Sequence, residues 1–196
     1  MIIVEGTHNQ CIFEEIINVE KLSKEIEVLP VGGITLIEEN LELVKHDPFF
    51  QDEVKAIGIT RDADEDAEKA FQQVCGALKS SDLPVPTRVL TPTETEIKVV
   101  VLILPGNGKK GMLEDLCLAS VENDPATECV EKYFECLEAK KVDLPAGSAR
   151  SKSKVQAFLA SRKDTDIHLG IAAKKGYWSL DADCFKIIKD FFQLLL

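Results

Sequence analysis

The chain has 196 residues, of which 45% are hydrophobic and 29% charged, and its formal net charge is −11. This length suits one domain, and the composition is that of a globular protein. The negative charge argues against a protein that covers nucleic acid with a basic surface. It remains compatible with an enzyme whose carboxylates hold a cation against a phosphate.

The length of the apolar segments and the charge of the first 20 residues predict the cellular location of the protein. The longest apolar runs, residues 99–104 and 191–196, are far shorter than the roughly 20 residues that cross a bilayer. Residues 1–20 contain four acids and no basic start, unlike a signal peptide. We therefore expect a soluble, cytoplasmic protein with no membrane partner.

The six cysteines show no pattern of metal ligands or disulfides. None forms a C-x-x-C pair or lies beside a pair of histidines, so we expect buried free thiols.

Short apolar runs alternate with helical patterns from the first residue to about residue 120. Strands are predicted at 1–4, 26–29, 55–60 and 97–104, with a short edge strand at 88–90. Helices are predicted at 10–24, 34–46, 65–78, from 113 onward, at 126–141, and, around an irregular middle, at 151–161 and 182–195.

This alternation predicts an α/β fold, a three-layer sandwich with a mostly parallel central sheet and extra C-terminal helices. Residues 1–120 form the predicted α/β core, and residues 121–196 a helical part packed on it as one compact unit. Polar or glycine-rich residues follow several predicted strands, and the active sites of such sheets lie at the carboxyl ends of the strands.

An acidic cluster follows the third predicted strand. Asp62 and Asp64 lie two residues apart, within a stretch of nine residues that contains five acids. Carboxylate oxygens suit Mg²⁺ or Mn²⁺, which commonly use one or two carboxylates together with substrate phosphates. The alternative is a solvated turn that caps the next helix.

Glu5 directly follows the first predicted strand. By itself it fits an ordinary turn glutamate. If the first and third strands are neighbours, however, a third carboxylate lies near Asp62 and is a candidate general base or metal ligand.

The segment 106–111 matches the pattern G-x-G-x-x-G between a strand and a helix. The chain that follows lacks the second strand and acidic residue of a dinucleotide fold, and the loop lacks the Gly-Lys-Ser/Thr of a Walker A motif. A loop that presents Gly106, Gly108, Lys109 and Lys110 to a phosphate remains a hypothesis.

Residues 144–163 contain five basic residues and no acid. A solvated helix face is one interpretation, and contact with nucleic acid or phosphate is the other. His8 lies next to the predicted site, and nothing in the sequence supports a nucleophilic triad.

Three short motifs lie at the ends of predicted strands: IIVEG at 2–6, VGG at 31–33 and IGITRDAD at 57–64. Together they resemble the Toprim domain, the metal-binding catalytic domain of topoisomerases, DnaG-type primases and OLD-family nucleases. Three later segments are LPGNGKKGMLED at 104–115, KVQAFLASR at 154–162 and GYW at 176–178. They resemble a small bacterial and archaeal single-domain branch related to OLD-family nucleases.

The resemblance implies roles for individual residues. Glu5 matches the family's glutamate, a general acid/base or metal ligand. Asp62 and Asp64 match its Mg²⁺-binding pair, and Glu114 is a further metal ligand by similarity to the nuclease branch. One departure is that residues 7–10, Thr-His-Asn-Gln, stand where many relatives have acids.

The expected function is Mg²⁺- or Mn²⁺-dependent cleavage or transfer of phosphodiesters in nucleic acid, with a partner protein as a candidate source of targeting. A non-catalytic regulatory or defence-associated module is the first alternative. Nucleotide binding by the loop at 106–111 is the second.

Overall fold

A computed structural model describes residues 1–33, 36–46, 50 and 53–196. Its central sheet has four strands, all parallel, in the order β2-β1-β3-β4. The strands are β1 (Ile2–Val4), β2 (Val28–Pro30), β3 (Ala56–Asp62) and β4 (Lys98–Leu104).

Eight α-helices lie in the described part of the chain. They are α1 (Thr7–Val19), α2 (Ile37–Lys45), α3 (Ala67–Ser80), α4 (Leu113–Ser120), α5 (Pro125–Ala139), α6 (Ser148–Ala160), α7 (Leu169–Lys174) and α8 (Lys186–Leu195).

The strands alternate their side chains between two hydrophobic clusters. On one face, residues such as Val100 and Leu102 pack with α1 and most of the C-terminal helices. On the other, Val99 and Val101 pack with α2 and α3. Both faces of the sheet are covered, so the predicted α/β three-layer sandwich is confirmed.

Several local features differ from the sequence predictions. The first helix begins and ends earlier than the predicted 10–24, and the second strand is shifted by one or two residues from the predicted 26–29. β3 continues to Asp62, because its ladder with β4 extends to the pair Asp62 and Leu104. Residues 88–90 form no strand, although Leu90 N–H donates to the Val101 carbonyl across 2.9 Å. The middle of the tail contains α7, whose six residues are too few to show a helical period. The first two residues of the helix predicted at 34–46 lie outside the described residues.

The cysteines agree with expectation only in part. All six are free, but Cys117 is the only one fully buried, and Cys129 and Cys136 are exposed on α5. No helix among the described residues is long and apolar enough to cross a membrane.

Candidate active site at the carboxyl ends of the strands

A cleft of about 840 Å³ lies at the carboxyl ends of β1, β2 and β3. Short loops after the first two strands form its floor, and helices α1, α4, α6 and α7 form its walls. Its polar and glycine lining includes Glu5, Gly6, Thr7, His8, Asn9, Gly32, Gly33, Asp62, Glu114, Lys152 and Gln156. This is the position at which open parallel sheets bind ligands.

Neighbouring strands bring Glu5 and Asp62 together. β1 pairs with β3 in parallel, so the residue after β1 lies beside the last residue of β3. The Asp62 N–H donates to Glu5 Oε2 across 3.4 Å. Two residues separated by 57 positions in the chain therefore share one end of the sheet.

Asp62 occupies an environment that opposes its negative charge. Burial, and after it the nearby charges of Glu114 and Glu5, raise the pKa of its carboxyl to about 8. The N–H of Leu113, at the start of α4, donates to Asp62 Oδ1 across 3.0 Å and acts in the opposite direction. At pH 7 without a cation, this carboxyl is largely protonated.

Glu114 approaches the cleft from the first turn of α4. Burial raises the pKa of its carboxyl, and Asp115 and Asp64 add to this effect, whereas its own backbone amide and Lys152 lower it. A cluster of partly buried carboxylates that repel one another favours a proton or a metal cation among them.

Asp64 does not line this cleft. It is exposed, has a φ of 50°, and its backbone pairs with Gly111, which turns it toward a separate depression of about 220 Å³. Its charge still raises the pKa of both Asp62 and Glu114. The two aspartates predicted as a pair are thus electrostatic neighbours on different surfaces.

Across the part of the chain that the structure describes, no three His, Cys, Asp or Glu side chains converge as a metal-binding group. The oxygen donors in the cleft fit a simpler site of one or two carboxylates, which Mg²⁺ commonly completes with water and substrate phosphate.

The glycine-rich loop lies apart from the cleft. Gly106 and Gly108 line a depression together with Phe71 and Ile187. Lys109 and Lys110 line another, and the Lys110 ammonium lies 3.4 Å from the Glu65 carboxylate. The structure therefore does not bring this loop together with Glu5, Asp62 and Glu114.

Most of the basic segment is neutralised by acids of the same chain. Arg150 pairs with Glu138 at 2.5 Å, and Lys154 pairs with Glu131 at 2.6 Å. Arg162 likewise pairs with Asp124 at 2.9 Å. Lys152 instead lines the cleft, and Gln156 lies one helical turn further along α6.

Gln156 was not predicted from the sequence, although its spacing of four from Lys152 places both on one face of α6. The stacking of His8 on His168, with ring centroids 5.0 Å apart, was not predicted either. His168 precedes α7, and its Nδ1 accepts a 3.4 Å hydrogen bond from the Ile171 N–H. Burial and the neighbouring His8 lower the pKa of His168.

One known protein family matches the whole chain. The model of the family described as "Protein of unknown function (DUF3226)" matches residues 1–196. The chain belongs to this family. Searches of the curated proteins and of the solved structures found no match.

Proposed function

We propose that this protein is a Toprim-like enzyme that cleaves or transfers phosphodiesters in nucleic acid with Mg²⁺ or Mn²⁺. The observation that supports this most is the meeting of Glu5, Asp62 and Glu114 in one cleft at the carboxyl ends of the strands. The order and spacing of the motifs that resemble Toprim domains support it independently.

Each carboxylate has a distinct part in this proposal. Asp62, held by the Leu113 N–H, is the main metal ligand, with Glu114 as the second and Asp64 as an outer negative charge. Glu5 lies beside Asp62 and transfers the proton as general acid or base. When bound, the cation would polarise the scissile phosphate and lower the pKa of a coordinated water.

Calorimetry with Mn²⁺ tests the metal site directly. We expect the wild type to bind Mn²⁺ and Asp62→Asn to lose at least about tenfold in affinity, because a neutral amide replaces the central anionic ligand. Asp143→Asn is the matched control, since it removes the same charge at an exposed position outside the cleft. Equal affinity of Asp62→Asn and wild type would contradict the proposed ligand set.

Cleavage assays test the chemistry. With Mn²⁺ and single-stranded or duplex DNA and RNA, we expect Glu5→Gln to lose at least about a hundredfold in rate while still binding Mn²⁺, because general acid–base groups contribute about that much. Metal-dependent cleavage that persists in both Glu5→Gln and Asp62→Asn would exclude this site as the active centre.

A non-catalytic regulatory module is the second candidate. Two observations favour it: no acid lies in the first turn of α1, and no group of three metal-ligating side chains occurs in the described part of the chain. This candidate predicts that the wild type lacks cleavage with every nucleic acid, even when Mn²⁺ binds. A partner protein would then supply the reaction or the target.

A further inference from the structure

Part of the cleft lining has no role in the proposed metal site. Helix α6 carries Lys152 and Gln156 one turn apart, and both line the cleft. The first turn of α1 also lines the cleft and contains no acidic residue. The cleft therefore combines the carboxylates of Glu5, Asp62 and Glu114 with neutral and basic groups on α1 and α6.

Two hydrogen bonds from the first residues of α6 hold this helix on two acids that do not line the cleft. The N–H of Ser148 donates to Glu65 Oε1 across 3.2 Å, and the Ser151 hydroxyl donates to Asp115 Oδ1 across 2.5 Å. Asp115 also accepts the Met112 N–H at the start of α4. Lys152 is thus placed by a helix that is anchored just before it in the chain, rather than by a free loop.

Lys152 differs from the basic residues around it. Arg150, Lys154 and Arg162 are each paired with an acid of the same chain. Lys152 forms no ion pair with any residue that the structure describes, although its charge acts on Glu114. A lysine that faces a cleft and has no ion-pair partner is suited to bind an anionic group of a ligand.

Size and charge restrict what this ligand can be. The volume of about 840 Å³ lies within the roughly 300–1,000 Å³ typical of small-molecule sites. A duplex is held by several phosphate contacts along a basic tract, whereas this cleft is lined by one lysine and the chain carries a net charge of −11.

We propose that the cleft binds one phosphodiester unit, in a dinucleotide or at the end of a single strand, with Lys152 contacting its phosphate and Gln156 beside it. This rests on the proposed function, whose substrate class it narrows from nucleic acid in general to short or terminal single-stranded segments.

Calorimetry with 5′-phosphorylated dithymidine in Ca²⁺, compared with a 20-base-pair duplex, tests this inference. We expect the dinucleotide to bind at least as tightly as the duplex. Its affinity should fall with salt concentration much less steeply than that of a protein that contacts many phosphates of a polymer. Duplex binding at least tenfold tighter, a salt dependence as steep as that of such a protein, or no dinucleotide binding would overturn the inference.

Variants of α6 identify the contact. Lys152→Met should weaken dinucleotide binding at least tenfold, and Lys152→Arg should restore most of it. Lys154→Met is the matched control on the same helix, because Lys154 pairs with Glu131, and it should change the affinity less than threefold. Equal binding by wild type and Lys152→Met would overturn the inference.

Mn²⁺ binding, measured on the same samples, separates this inference from the proposed function. Mn²⁺ binding without dinucleotide binding refutes the inference alone and leaves the metal site standing. Dinucleotide binding that depends on Lys152, without any Mn²⁺ binding, refutes the metal chemistry and leaves the phosphate site standing.

Discussion

At the residue scale, the proposed chemistry of the cleft depends most on Asp62. Its carboxyl is buried at the end of β3 beside other carboxylates, and its pKa is raised to about 8. A carboxyl in this state must lose its proton before it can bind a cation. In the proposed function, a bound Mg²⁺ or Mn²⁺ would offset the negative charge that burial disfavours.

Mn²⁺ affinity should therefore depend on pH. Because binding releases the Asp62 proton, we expect the affinity to rise by up to about tenfold per pH unit between about pH 6 and pH 8, and to level off above the raised pKa. Calorimetry at pH 6, 7 and 8.5, in buffers of different ionisation enthalpy, would measure both the affinity and the protons released. An affinity that is constant over this interval would contradict the raised pKa.

The same pKa predicts how Asp62→Asn changes stability in the absence of metal. Between its ordinary value of 3.8 and about 8, the folded protein keeps a proton that the unfolded chain loses, so stability falls as pH rises through this interval. Asparagine does not ionise, so the variant avoids this loss of stability, and its side-chain oxygen can still accept the hydrogen bond from the Leu113 N–H. At pH 8, we expect the free energy of unfolding of Asp62→Asn to exceed that of the wild type by about 2 kcal/mol.

Urea unfolding in EDTA at pH 5 and pH 8 measures this effect, with the exposed Asp143→Asn as control. The gain from Asp62→Asn should be larger at pH 8 than at pH 5, and Asp143→Asn should show no such difference. A gain that shrinks as the pH rises would contradict the linkage.

At the scale of elements, the close packing of β3 against α8 holds the C-terminal helices on the sheet. Gly58 lies in the middle of β3, and a Cβ built there would be 2.5 Å from Phe191 and 2.7 Å from Leu195. Both side chains are buried, so they have little room to move. Glycine at this position thus allows the helix to approach the sheet closely.

Gly58→Ala should destabilise the protein by about 1–3 kcal/mol, the usual cost of overpacking a core. Gly76→Ala on α3 is the matched control, because a Cβ there meets nothing within 4 Å and alanine favours a helix by about 0.5–1 kcal/mol. Chemical denaturation of both variants would measure the difference. A Gly58→Ala variant as stable as wild type would show that α8 can shift away at no cost.

At the scale of the molecule, the predicted boundary at residue 120 crosses a hydrophobic cluster. The cluster joins β1, β4 and α1 to side chains that follow the boundary. The large buried residues of the tail in this cluster include Phe134, Phe158, Trp178, Phe185, Phe191 and Phe192.

A fragment of residues 1–120 should therefore fail to fold alone. Without the tail, one face of the sheet would expose its apolar residues to water, and the lost burial exceeds the few kcal/mol by which domains are stable. Thermal unfolding followed by circular dichroism should show no cooperative transition for the fragment and a single one for the full chain. A cooperative transition of the fragment would identify residues 1–120 as an independent domain.

Much of the fold was predictable because the hydrophobic pattern of neighbouring residues indicates each strand and each long helix. The apolar runs before Glu5 and before Pro105 indicate buried strands, and the observed β1 and β4 confirm both. The fold class follows from the alternation of strands and helices. α7 was not predictable, because a helix of six residues shows less than two turns of periodicity.

The amino-acid sequence by itself determined the α/β class, the strands and the acidic residues at their ends, since these depend on neighbouring residues in the chain. Only the tertiary structure decided which of those residues share a cleft. It placed Glu5, Asp62 and Glu114 together, turned Asp64 away, and added Lys152 and Gln156 from a distant helix. The physical reason is that strand order and helix packing arise from burial among residues far apart in sequence, which local spacing does not encode.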